Sequence, residues 1–127
     1  MTSYAAHVQA YPDCIAQTPE EMAVEAALAM GGAMDEYGYG SLWEAGEWHR
    51  IHSYTDPVHA TELLAFTALG PAYISVRVYP VEFADGMRWY AEFESEVGCR
   101  EEQIVRDTFP AASTTACLLA LRQYWRV

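Results

Sequence analysis

Residues 73–97 read YISVRVYPVEFADGMRWYAEFESEV, and their alternation decides the fold class. Ile74, Val76 and Val78 make one apolar face of a first strand. Met87, Trp89, Ala91 and Phe93 make one face of a second, with Arg88, Tyr90, Glu92, Glu94 and Glu96 on the other. A period of two over this length predicts strands at 73–83 and 87–97, closed into an antiparallel hairpin at Ala84-Asp85-Gly86. One face belongs to the core, and the other is wet or covered by a partner. Pro80 cannot donate to a ladder, so the first strand is expected at a sheet edge or bulged at Tyr79-Pro80.

Helices flank this hairpin. Thr18-Pro19-Glu20-Glu21 combines a Thr N-cap, Pro at the first helical position and a Glu three residues after the cap. The helix continues with Met22, Ala26, Ala29 and Met30 on its apolar side and stops at Gly31-Gly32. Glu20, Glu21 and Glu25 belong to its first turns, the capping box and helix dipole account for the first two, and none of the three is expected to need a partner. A second helix begins with Asp56 as cap and Pro57 at the first position, and ends at Leu69 before Gly70-Pro71; Val58, Leu63, Phe66 and Leu69 are its expected buried stripe. A third, from about Ala111 to Trp125, places Cys117, Leu118, Leu121, Tyr124 and Trp125 inward and Arg122, Gln123 and Arg126 outward. Arg100 to Asp107 reads as a short strand or a turn of helix. Trp48 to Tyr54 reads as a short strand, and Asp35 to Gly46, with Gly38, Gly40 and Gly46, as a long loop.

The chain is therefore expected to be a single α+β domain over residues 1–127, with an antiparallel sheet of three to four strands packed by about three helices. Residues 1–17, interrupted by Pro12, are expected to be an irregular N-terminal segment. At 127 residues, 52% hydrophobic and 13% aromatic, it can bury a core without disulfides or metal. Cys14, Cys99 and Cys117 form no close pair and suggest neither a disulfide framework nor a zinc knuckle. Met1 to Ala10 has no basic region or apolar run of signal-peptide length, and no stretch reaches the roughly eighteen apolar residues of a membrane span. A cytoplasmic protein, in a host cell cytosol, is the expectation.

Charge is the one property that points outward. The net charge is -11, and the first forty-nine residues carry eight carboxylates and no cation before Arg50. Residues 1–76 hold ten carboxylates against Arg50 alone; residues 77–127 hold eight against six arginines. A field of this sign repels nucleic acid and anionic lipid and steers the chain toward basic surfaces. The charge serves solubility or a functional acidic face, and composition leaves both open.

The candidate chemical groups are sparse. His49, His52 and His59, with Glu44 and Glu47 nearby, lack the helical i, i+4 pairing of zinc ligands, so no metal is expected. Cys99, beside Arg100, has no histidine nearby in sequence to act as its base. Gly38-Tyr39-Gly40 lacks the later glycine of a dinucleotide fingerprint and the Gly-Lys-Ser/Thr of a P-loop, so no cofactor is expected. What stands out is Asp35 to Trp48, where Tyr37, Tyr39, Trp43 and Trp48 interleave with Asp35, Glu36, Glu44 and Glu47. Aromatic anchors beside carboxylates suit contact with a basic protein surface; alternatively these aromatics pack inward. Glu92, Glu94 and Glu96, spaced about 6.5 to 7 Å apart along one strand face, form a second acidic feature, either a mimic of nucleic-acid phosphates or a solvated sheet face.

Three further stretches are Met22-Ala23-Val24-Glu25-Ala26-Ala27-Leu28-Ala29-Met30-Gly31, Ser53-Tyr54-Thr55-Asp56-Pro57 and Ala112-Ser113-Thr114-Thr115-Ala116-Cys117-Leu118-Leu119-Ala120-Leu121. In these the chain resembles small phage and prophage proteins described as the phage ABA-sandwich domain, over most of residues 19–125. The resemblance implies helices packed around a sheet and a phage or prophage origin. It brings no common activity and no catalytic residues. The expected function is a small non-catalytic acidic protein that docks on a basic host protein, itself nucleic-acid-binding, and inhibits a defence system of the CRISPR or restriction type. The alternatives are an immunity protein or antitoxin against a basic toxin, a small enzyme using Cys99 or the histidines, and a structural part of a virion.

Overall fold

The computed structural model describes residues 3–10, 18–94 and 104–126. Its elements are α1 (Ser3–Ala10), α2 (Pro19–Ala29), β1 (Ala33–Met34), β2 (Gly40–Glu44), β3 (Glu47–Arg50), α3 (Pro57–Leu69), β4 (Ser75–Phe83), β5 (Gly86–Glu94), β6 (Ile104–Arg106) and α4 (Phe109–Arg126). The class is α+β, and the strands form two antiparallel three-stranded sheets, ordered β1-β2-β3 and β4-β5-β6.

The expected hairpin forms from Ser75 to Glu94, with Val76, Val78, Trp89, Ala91 and Phe93 on one face as expected and Met87, at the turn, exposed. Val76 pairs with Phe93, Val78 with Ala91 and Pro80 with Trp89, while Arg77 and Tyr79 on the other face meet Glu92 and Tyr90. β4 is an edge strand, and its register runs unbroken through Pro80, so the proline is accommodated by the edge and not by a bulge. The second strand ends its described part at Glu94; residues 95–97 lie outside the described residues, as do Cys14 and Cys99. The stretch expected as strand or helical turn near Arg100 to Asp107 contains β6, which pairs with β5.

Each helix start follows its cap. Thr18 Oγ1 accepts from the Glu21 N–H at 3.2 Å, and Asp56 Oδ1 accepts from the Val58 N–H at 2.8 Å. At the end of α2 the Gly32 N–H donates to Ala27 O and the Gly31 N–H to Leu28 O, with Gly31 at φ 84°, a Schellman close that favours glycine.

α4 is the centre of the molecule, and nearly every side chain from Pro110 to Arg122 is buried. Ala112, Ala116 and Ala120 recur every four residues and lie with Ile74, Ala91, Phe93 and Ile104 in the core against β4-β5-β6. Cys117, Leu118 and Leu121 join Tyr4, Val8, Met22, Ala26, Leu42 and Leu63 in the core between the helices. A helix apolar nearly all round is a buried helix, and its alanine side lets a sheet approach closely. Two of its buried hydroxyls are hydrogen-bonded: Thr114 Oγ1 donates to Ser53 O at 2.6 Å and Thr115 Oγ1 to Ala111 O at 2.7 Å.

Several expectations are corrected. Residues 3–10 are helical: Tyr4 and Val8, one turn apart, are buried in the helical core, and it is this docking and not periodicity that holds α1. The stretch from Asp35 to Gly46 is not one long loop: residues 35–39 turn between β1 and β2, residues 40–44 are β2, and Ala45 and Gly46 turn into β3. On α3, Val58 and Leu69 are exposed, and the buried stripe is Ala60, Leu63 and Thr67. Arg122 does not face outward, and Glu25 does have a partner.

Glu25 and Arg122 form an ion pair between α2 and α4, both side chains all but inaccessible to water. Tyr4 of α1 donates from its hydroxyl to Glu25 Oε1 at 3.3 Å, so three helices converge on one carboxylate. Burial, reinforced by that carboxylate, pushes the Tyr4 phenol well above its ordinary range and keeps it a donor. Burial likewise holds the His7 imidazole below its ordinary range. Removing one member of a buried pair strands the other charge. Arg122→Met is expected to lower unfolding free energy in urea by about 3–5 kcal/mol, and Glu25→Leu in the same chain to restore most of the loss. Equal stability of Arg122→Met and the parent chain would show that the pair holds nothing.

Candidate functional site

The β1-β2-β3 sheet rides on α2. A Cβ on Gly40 would stand 2.5 Å from Ala23 O and 2.9 Å from Val24 Cα, so β2 passes the helix at a distance only glycine allows. Leu42, the inward residue of β2, is buried in the helical core. β2 and β3 pair as Ser41↔Arg50, Leu42↔His49, Trp43↔Trp48 and Glu44↔Glu47 around a two-residue turn. Ala45 at φ 52° and Gly46 at φ 82° are both left-handed, the conformation of a type I′ hairpin turn. Ala45 is an unusual residue there, which is why the turn escapes sequence reading.

The hairpin raises Trp43 and Trp48 side by side on one face. Their rings meet edge to face at a centroid distance of 5.5 Å, and they remain 59% and 55% exposed. Of the two readings of these aromatics, inward packing is excluded for this pair. Met34 and Tyr37, both exposed, extend the apolar surface, and a cleft of about 330 Å³ opens beside Trp48, lined by Met34, Asp35, Glu36 and Ser41. At the hairpin tip Glu44 and Glu47 are exposed and directly opposed, an arrangement that costs stability.

Asp35 belongs to the scaffold. Its carboxylate accepts from the N–H groups of Tyr39 and Tyr37, each at 2.9 Å, and from Arg50 Nε at 2.9 Å. The Tyr39 N–H first, with Tyr37 and Arg50 adding to it, holds the carboxyl below the usual range. The Arg50 guanidinium in turn lies over the rings of Tyr39, at 4.3 Å, and Tyr37, at 5.4 Å. Thus Asp35, Tyr37 and Tyr39 clasp Arg50, whereas Glu36, Trp43, Glu44, Glu47 and Trp48 face solvent.

Of the second expected feature, only Glu92 has a described side chain. Glu92 is paired with Arg77 at 2.8 Å on the outer face of β4-β5, and the side chain of Glu94 and all of Glu96 lie outside the described residues. The three histidines are divided: His49 Nε2 is 3.7 Å from Glu47, while the His52 and His59 ring centroids lie 6.2 Å apart and His59 Nδ1 accepts from the His52 N–H at 2.8 Å. Among the described residues no three His, Cys, Asp or Glu side chains are grouped to hold a metal ion. Cys117 is fully buried, and burial pushes its thiol up to about 12, far from a nucleophile's range. No helix of the described residues is long and apolar enough to cross a membrane.

Two residues that the sequence reading did not assign to the site complete the surroundings. Glu62 and Phe66, one turn apart on α3, line a cleft of about 300 Å³ with Met30, Leu42, Trp43 and Glu44. Their i, i+4 spacing is visible in the sequence, but the approach of α3 to β2 is not. Set against protein-family models, curated proteins and solved structures, the chain matches none.

Because the folded pKa of Asp35 is depressed, its stabilising contribution is present above the unfolded pKa and is lost as pH falls through the folded value. Side-chain NMR titration is expected to place its midpoint below the ordinary aspartate value, and Arg50→Gln to move it upward. A midpoint unchanged by Arg50→Gln would remove the guanidinium from the clasp.

Proposed function

We propose that this chain is a non-catalytic acidic binding protein that docks on a basic protein surface through its β2-β3 hairpin. The observation that carries this reading is the exposed pair Trp43 and Trp48 on one face of the hairpin, with the exposed Glu44 and Glu47 one position along each strand and Glu36 lining the cleft beside Trp48. Tryptophan is costly to leave in water and is enriched at binding hot spots. Carboxylates around such anchors speed encounter with a positive surface and disfavour other partners. The like-charged pair Glu44 and Glu47 supports the same conclusion, since an opposing cation would relieve it.

The partner proposed is a nucleic-acid-handling host protein, whose own function demands a basic surface, and the role proposed is inhibition by occupying that surface. The proposed role is that of a phage or prophage inhibitor of a CRISPR or restriction system, acting in the cytoplasm. The strong acidity of residues 1–76 and the resemblance of the three stretches quoted above support that reading.

Capture from host cytosol at low salt, with elution by rising salt, is expected to yield a basic nucleic-acid-binding protein. Against that protein, Glu36→Lys with Glu47→Lys should slow association about tenfold at low salt and flatten its salt dependence. Trp43→Ala with Trp48→Ala should weaken affinity by about 2–4 kcal/mol, with far-ultraviolet circular dichroism confirming that the fold persists. Binding unchanged in both variants would refute the reading.

A further inference from the structure

The cleft between β2, the end of α2 and α3 borders the tryptophan pair at Trp43. Its floor is apolar, formed by Met30, Leu42 and Phe66, and Glu44 and Glu62 also line it. These two carboxylates come from different elements, the hairpin and α3. At about 300 Å³ it stands at the small end of ligand sites, with room for one long side chain and not for a folded segment.

Charge accounting inside the chain shows what is missing there. Arg50 is paired with Asp35, Arg77 with Glu92, Arg88 with Asp85 and Arg122 with Glu25. Arg106 donates to Val105 O at 2.8 Å. Among the described residues no cation pairs with Glu44 or Glu62. An apolar cleft lined by two uncompensated carboxylates complements a side chain with an apolar stem and a cationic head.

We infer that this cleft receives an arginine side chain of the partner protein. The aliphatic stem lies along Met30 and Leu42, and the planar guanidinium faces Phe66 and donates to Glu44 and Glu62. Guanidinium suits the site better than ammonium for two reasons. It is the more weakly hydrated head, so entering a half-apolar cleft costs it less, and its five donors in a fixed fork can serve two carboxylates together. The inference rests on the reading of the chain as a binder of basic proteins. It adds the residue type recognised and a contact, Glu62, that the hairpin alone does not contain.

The test is titration of the ¹⁵N-labelled full chain with N-acetyl-arginine-N-methylamide, with the isosteric uncharged citrulline derivative as control. Saturable shifts are expected at the amides of Leu42, Glu44, Glu62 and Phe66 with the arginine probe and not with citrulline. Glu62→Gln should weaken the arginine response at least threefold, and Glu44→Gln with Glu62→Gln should abolish it. No saturable shift at these amides, equal shifts with citrulline, or an unchanged response in the double variant would overturn the assignment. The two levels fail separately. If the double Gln variant captures the basic host protein as well as the parent chain does, the cleft assignment falls and the broader reading stands. If no basic protein is captured at all, the broader reading falls whatever the arginine probe does.

Discussion

The carboxylate of Glu25 and the guanidinium of Arg122, buried against each other, fix how α2 lies on α4. A buried charge tolerates no neighbour but its counter-charge and hydrogen-bond donors, so the pair sets the register of two helices otherwise packed through alanine and other apolar residues. Tyr4 adds α1 to the same point through its hydroxyl. On the far side of α2, two residues before Glu25, Ala23 offers the backbone against which Gly40 of β2 rests. The hairpin is thus carried on a helix whose other side is anchored by an ion pair. Pre-organised display of this kind lowers the ordering cost of binding.

The molecule divides its charge into two uses. Asp35, Glu25, Glu92 and Asp85 are matched by arginines of the same chain, and of these pairs only Glu25 with Arg122 is buried. Glu36, Glu44, Glu47 and Glu62 are exposed and contribute to the outward field, as do Glu20, Glu21, Glu82 and Asp107 elsewhere on the surface. Glu36 lines the cleft beside Trp48, and Glu44 and Glu62 line the cleft beside Trp43.

Much of the fold was legible because it depends on neighbours in sequence. The β4-β5 hairpin follows from alternation, and the starts of α2 and α3 from Thr18-Pro19 and Asp56-Pro57, all of which act within a few residues. What was not legible depends on partners far along the chain. Arg122 resembles any surface arginine near a helix end until Glu25 arrives from ninety-seven positions away. The β2-β3 hairpin was hidden by its composition: Gly40 looks like a strand breaker but is a point of close approach, and Ala45 adopts a conformation that its side chain rarely takes. At the site, the aromatics and carboxylates of residues 35–48 were visible as a set, but their division into scaffold and surface was not. It required Arg50 to be seen lying over Tyr37 and Tyr39 with Asp35 on its guanidinium.

The most direct test of the central claim, that the β2-β3 hairpin is the docking element, is amide hydrogen exchange of the chain free and bound to the basic protein it captures. Slowed exchange across residues 40–50, with the outer β4-β5 sheet unchanged, is the result predicted. Protection confined to residues 75–94, with 40–50 exchanging as in the free chain, would contradict it.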